Sequence, residues 1–224
     1  MRKLILIAHT SLDGFVAFPN GDLSGFDASD ENLEFVWRLT DHADAAMFGR
    51  KSYQLLESYW PTAAGRANAT KAEIGFSNWY NAAEKIVLSK TMNETNLQNT
   101  KINSENVTDD VSYANWYDAE KNASPKTMEK TNLHNIKIIS DNVADEISKI
   151  KQQPGKDILI FGSPATFQTV FEAGLVDSYW IFINPVIFGK GIPLFKESKN
   201  KVNLKLMATK QFANGELALH YISG

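Results

Sequence analysis

The chain is predicted to fold as an α/β protein: a mixed, mainly parallel sheet flanked by helices and closed by a C-terminal antiparallel hairpin. Three observations predict it. Short apolar runs recur at Leu4–Ala8, Ala45–Phe48, Ile86–Leu88, Ile136–Ile139, Ile158–Phe161 and Tyr179–Phe188, with helical patterns between most of them, and such alternation builds parallel strands joined by helices. The run Ile158–Phe161 stops on Gly162-Ser163-Pro164 and passes at once into a helical pattern, which is the turn from a strand into its crossover helix. Leu204–Phe212 and Glu216–Ile222 flank Asn214-Gly215, a dipeptide suited to the positive φ angles of a tight hairpin turn.

The elements follow in order. The N-terminus is basic and then apolar, but its apolar stretch ends at Ala8 and the chain soon reaches Asp13. This is a first buried strand rather than a secretion signal. No stretch approaches the roughly 20 apolar residues of a membrane span, so a cytoplasmic protein without a membrane partner is expected. A helix is expected over Glu31–Asp41, and a strand ending on Gly49 is followed by another helix. The formal net charge of −3, without a long cationic run, excludes the electrostatic footprint of a nucleic-acid partner. Cysteine is absent, and the four histidines, His9, His42, His134 and His220, show no metal-ligand spacing, so no metal site is expected. Asn-x-Ser/Thr triplets such as Asn68-Ala69-Thr70 and Asn93-Glu94-Thr95 carry meaning only in a secreted chain.

The middle of the chain is duplicated. Thr91–Val111 returns as Thr127–Ile147 at a constant offset of 36 residues, and Asn78–Lys85 returns as Asn115–Asn122. The copies have decayed in complementary ways. Lys85–Ser89 reads as a strand, while its counterpart holds Asn122, Ala123, Ser124 and Pro125; Ile136–Ile139 reads as a strand, while Thr100–Asn103 does not. The chain is therefore expected to be a single domain, 1–224, that uses the first half of one copy and the second half of the other. The material between, about 93–128, becomes a polar surface insertion. Without one offset the chain would be 188 residues long.

Three strand ends carry chemistry suited to phosphate. Gly162-Ser163 opens a helix whose first N–H groups lack partners and whose dipole is positive there. Gly49-Arg50-Lys51-Ser52 adds close backbone approach, two cations and a hydroxyl. Ser89-Lys90-Thr91 places hydroxyls around a lysine. Ligands of open α/β sheets bind at the carboxyl ends of strands, so the three turns point to one kind of ligand, a dinucleotide.

The segments Ser11–Ala17, Gly49–Tyr53, Trp60-Pro61, Val87–Thr91, Ile160–Ser163, Gly174–Tyr179 and Pro185–Phe195, in that order, resemble the dihydrofolate reductase-like group that includes the C-terminal reductase domain of the bifunctional riboflavin-biosynthesis protein RibD. The resemblance implies NADPH lying across the strand ends. Gly49, Arg50, Lys51 and Ser52 would then hold phosphates, with Arg50 near the adenosine 2′-phosphate. Ser89 and Lys90 would line the adenosine side, and Gly162, Ser163, Ala165 and Thr166 would receive the pyrophosphate. Arg50 and Lys90 together favour NADP over NAD, because the extra phosphate needs a cation. The resemblance also implies a homodimer formed through the terminal strands.

The expected function is hydride transfer from NADPH to a small conjugated or heterocyclic acceptor, pterin- or pyrimidine-like. Asp13, the charged member of the loop Leu12–Ala17, either orients substrate or a water as a catalytic group or serves as a turn residue. In dihydrofolate reductase an acid on the first long helix binds the pterin; here Glu31, Glu34 and Asp41 are all open to that role. Trp37 and Trp60 are read as core or pocket wall. A riboflavin-pathway uracil reductase is a lower alternative, since Phe18–Asp27 holds no cation for a ribose phosphate and no deaminase partner domain is recognised. The rival of a different class is a non-catalytic dinucleotide-binding or structural dimer module. Deleting residues 93–128 is expected to leave one cooperative thermal transition; loss of cooperativity in calorimetry would place the duplicated segment in the core.

Overall fold

The computed structural model describes residues 1–26, 29–92, 135–197 and 201–224. They fall into two units, Met1–Asp27 with Asn142–Gly224, and Ala28–Asp141. Residues 93–134, which hold the inferred insertion, both decayed half-copies and His134, lie outside the described residues.

In the first unit β1 (Leu4–Thr10) lies between β6 (Asp157–Phe161) and β7 (Ser178–Ile183), parallel to both. The register Ile7↔Phe161 and Thr10↔Ile183 brings all three strands to their carboxyl ends at one edge. Here the chain direction reverses. β10 (Leu217–Ser223) runs antiparallel to β7, and β9 (Leu204–Gln211) antiparallel to β10, so the expected hairpin forms about Asn214-Gly215, with Gly215 at φ 87°. The expected run Tyr179–Phe188 is a strand only as far as Ile183. Pro185 has no N–H for the ladder, and the Val186 N–H bonds back to the Asn184 carbonyl at 2.8 Å. A short second sheet pairs β2 (Phe15–Ala17) with β8 (Ile192–Pro193). The helices are α5 (Val143–Gln152) and α6 (Pro164–Glu172). The amino edge is tied by a partly buried ion pair: Lys151 Nζ meets Asp177 Oδ2 at 2.6 Å, and the same oxygen accepts the Leu4 N–H at 2.7 Å.

The second unit holds three parallel strands, β3 (Ala43–Gly49), β4 (Glu84–Leu88) and β5 (Ile136–Ile139), paired β3 to β4 and β4 to β5. β4 comes from the first copy of the repeat and β5 from the second. β3 is apolar and fully buried over Ala45–Phe48, as a strand covered on both faces must be. Around the strands lie α1 (Asp30–Leu39), α2 (Arg50–Glu57), α3 (Trp60–Ala63) and α4 (Lys71–Ala82). The helix expected over Glu31–Asp41 begins at the N-cap Ser29 and tightens into a 3₁₀ turn at Thr40–His42.

Helix α4 starts with a capping box: Thr70 Oγ1 accepts the Glu73 N–H, and Glu73 Oε2 accepts the Thr70 N–H at 2.7 Å. The buried Glu73 also accepts the Tyr59 hydroxyl, which joins the cap to the aromatic core of Tyr59, Trp60 and Phe76. Trp60 is core, as expected; Trp37 packs on Gly75, where a Cβ would sit 2.1 Å from the indole. The glycine costs about 1 kcal/mol of helix propensity and permits that approach.

Beneath these helices lies a buried polar cluster. Glu57 Oε2 accepts the Tyr80 hydroxyl at 2.7 Å, Lys85 Nζ donates to the Tyr80 carbonyl at 2.8 Å, and Glu57 Oε1 has no partner among the described residues. Burial raises the Glu57 carboxyl above its ordinary range despite the Tyr80 bond and the Lys85 charge, and burial lowers the Lys85 ammonium. A raised carboxyl binds its proton more tightly folded than unfolded, so its stabilising contribution is present at low pH and is lost as pH rises through the raised value. Wild type is therefore expected to gain on Glu57→Gln as pH falls from 7 toward 4.5, by up to about 1.4 kcal/mol per pH unit within that window. Urea titrations at several pH values check it; a flat difference would show an unshifted carboxyl.

Candidate cofactor and substrate site

In the second unit β3 and β4 are in register through Gly49↔Leu88, so the turns that follow them lie side by side. That register brings together two groups far apart in sequence: Arg50 Nη1 donates to Thr91 Oγ1 at 3.0 Å. Helix α2 begins directly at Arg50, with extended Gly49 as N-cap and no side-chain cap, which leaves its first amides for a ligand. Lys51 is exposed and Ser52 half-buried beside them. Ser89 holds its own turn, its Oγ accepting the Thr91 and Met92 N–H groups at 3.2 and 3.0 Å, while Lys90 stands exposed at the tip. Sequence reading counted Thr91 only among the hydroxyls around Lys90; the strand register reveals it as the partner of Arg50.

In the first unit β6 ends on Gly162 and Ser163, at φ 55° and 51°. The Gly162 N–H still reaches back to the Ile7 carbonyl at 3.4 Å, whereas the Ser163 amide has no partner among the described residues and is available to an anion. Serine there costs about 1–2 kcal/mol, strain of the kind that collects at ligand sites. Ser163 is the N-cap of α6 yet does not cap it, since its hydroxyl donates to Thr166 Oγ1 at 2.9 Å. Pro164 has no N–H, and the amides of Ala165 and Thr166 have no partner among the described residues. All four residues expected at the pyrophosphate thus open one uncapped helix.

The loop after β1 is organised by Asp13. Its Oδ1 accepts the Ser11 hydroxyl at 2.6 Å and the Phe188 N–H at 3.1 Å, and its Oδ2 accepts the Gly189 N–H at 2.8 Å. The Ser11 bond, opposed by desolvation and reinforced by the two amides, holds the carboxyl below its ordinary value. Asp13 is therefore a charged acceptor that fastens the loop to the strap 185–195. Phe18 stacks on Phe188 with centroids 4.3 Å apart, and Phe26 tilts against the same ring at 5.2 Å. The three candidate acids, Glu31 and Glu34 on α1 and Asp41 in the 3₁₀ turn after it, are exposed, and Glu34 pairs with Arg38 at 2.5 Å; the buried polar residue of α1 is Asn32. Among the described residues there is no cluster of side chains able to hold a metal, and no helix is long and apolar enough to cross a membrane.

Residues 2–218 match the family described as RibD C-terminal domain. This chain belongs to that family. The uncharacterized protein YyaP of Bacillus subtilis is 28% identical over 220 residues, covering 98% of this chain and 94% of its own length. A pyrimidine reductase-like protein from Corynebacterium diphtheriae superposes with a TM-score of 0.63 at 16% identity, over 100% of this chain and 92% of that one. A dihydrofolate reductase from Enterococcus faecalis complexed with NADP(H) superposes at 0.52 and 12% identity, over 99% and 96% of the two chains. The fold of this RibD C-terminal domain protein is thus dihydrofolate reductase-like.

Replacing Asp13 by Ala is expected to speed hydrogen exchange at the Phe188 and Gly189 amides while leaving the β1 amides protected. Equal exchange in variant and wild type would show that Asp13 does not hold the strap.

Proposed function

We propose that this chain is an NADPH-dependent reductase that transfers a hydride to a small conjugated or heterocyclic acceptor, pterin- or pyrimidine-like. The observation that carries the proposal is the uncapped start of α6, where two left-handed residues and free amides await an anion. In this reading Gly162, Ser163, Ala165 and Thr166 take the pyrophosphate. Gly49, Arg50, Lys51 and Ser52 take the phosphates of the adenosine half, with Arg50, oriented by Thr91, at the 2′-phosphate and Ser89 and Lys90 beside the adenosine. Within each unit the residues suit phosphate: unpartnered amides at the start of α6, and cations and a hydroxyl at the start of α2. When bound, the cofactor supplies the hydride; the chain binds, orients and supplies a proton. Membership of the RibD C-terminal domain family and the likeness to reductases support the reaction class.

The stacked Phe18 and Phe188, with no cation in the segment Phe18–Asp27, favour an unphosphorylated acceptor over a ribose phosphate. The outer strand β9, exposed along nearly its whole length with Leu204, Leu206 and Met207 at its surface, is the edge we assign to a homodimer. We place the protein in the cytoplasm.

Titration with NADPH and NADH, read by tryptophan quenching, is expected to show NADPH-selective binding. Arg50→Ala should erase about tenfold to a hundredfold of that selectivity, the worth of a hydrogen bond to a charged group. An unchanged ratio would overturn the role of Arg50, and binding of neither nucleotide would overturn the reductase reading in favour of a structural module.

A further inference from the structure

Hydride transfer to a conjugated acceptor leaves a proton to be delivered, and Asp13 has no proton to give. The first unit holds a group that has. His9 is the penultimate residue of β1, two residues beyond Ile7, which pairs with Phe161 at the end of β6, and so lies on the sheet edge where Gly162 and Ser163 lead into the helix. Its Nδ1 is 2.9 Å from Oε1 of Glu216, a carboxylate 1% exposed, while the imidazole itself is 24% exposed. The same Glu216 oxygen accepts Asn184 Nδ2 at 3.2 Å, and Asn184 also donates to the Thr10 carbonyl at 3.3 Å. The ring is stacked on Phe182, centroids 4.7 Å apart and planes 18° apart. Nδ1 is thus committed to a buried acid, the ring plane is set by an aromatic neighbour, and Nε2 carries no hydrogen bond among the described residues.

We propose that His9 is the proton donor of the reaction, with Glu216 and Asn184 as positioning residues that act through it. The inference rests on the reductase reading above. In the step, the acceptor's C=N or C=C bond receives the hydride at one atom while its π electrons take the Nε2 proton at the other. NADPH is oxidised to NADP⁺, the acceptor is reduced, and the neutral imidazole regains a proton from solvent through its exposed edge. A buried carboxylate on Nδ1 fixes the ring and keeps Nε2 turned outward, the same logic by which a third group orients a catalytic base. From the elements packed against it, His9 meets Glu216 in the turn before β10, and the neutral Phe182 and Asn184 from β7; no other charged side chain among the described residues reaches it. The other described histidine of this unit makes the contrast. His220 sits in mid-strand with Nε2 bound to Ser178 Oγ at 2.7 Å and its ring flat on Trp180, so that its Nε2 is engaged within the sheet.

Nitrogen-15 NMR of the histidine side chains, with NADPH binding followed in parallel by tryptophan quenching, tests the assignment directly. The neutral His9 should carry its proton on Nδ1, saturating NADPH should shift its Nε2 resonance while leaving His220 in place, and Glu216→Gln should weaken the preference for the Nδ1 proton. In an acceptor screen by NADPH oxidation, His9→Gln should lose roughly 10²-fold or more in kcat with its NADPH Kd within about twofold of wild type. NADPH binding with an unmoved His9, or a His9→Gln variant of undiminished kcat, overturns the donor while leaving the reductase reading intact. Absence of NADPH binding overturns both.

Discussion

A parallel strand pair forces its turns apart: strands begin at one edge and end at the other, and every crossover helix starts at the carboxyl edge with its amides unpaired. The chemistry described here depends on that constraint. In the first unit it sets the end of β6, the loop after β1 and the chain leaving β7 on a common edge. In the second it sets Arg50 beside Thr91. The parallel register imposes that order whether or not a ligand is present.

Within that frame, each unit leaves selected polar groups unsatisfied and satisfies others completely. Ser163 declines to cap its helix and turns its hydroxyl to Thr166, so the amides of Ala165 and Thr166 stay available. Asp13 does the reverse and spends both oxygens on three donors. Glu216 lies between these extremes, buried and bound by His9 and Asn184 while the far side of the imidazole stays open. Sites differ from scaffolds in this accounting: a scaffold pairs its polar groups, and a site keeps one side of a pair for something else.

The second unit shows how the duplicated segment can serve a sheet. β4 and β5 come from different copies and pair in parallel over Lys85↔Ile136 to Leu88↔Ile139. A parallel pair needs a crossover between its members, so chain between the two strands does not interrupt the ladder. The buried Glu57, Tyr80 and Lys85 cluster beneath α2 and α4 then connects the helices to β4 through the Lys85 ammonium and the Tyr80 carbonyl.

By itself the sequence determined the alternation of strands and helices, the closing hairpin at Asn214-Gly215 and the phosphate-suited turns, because each is written in residues near one another along the chain. Periodicity sets an element and glycine with its neighbours sets a turn, so family motifs in those stretches were legible as well. Only the tertiary structure decided which distant groups meet. The bond from Arg50 to Thr91, the fastening of Asp13 to Phe188 and Gly189 and the pairing of His9 with Glu216 all join residues that the sheet register brings together. In β1 His9 reads as one more position in an apolar run, and Glu216 as a polar residue after a turn. Their partnership spans 207 residues of sequence, a separation that no local pattern can encode and that a shared strand edge closes to hydrogen-bond distance.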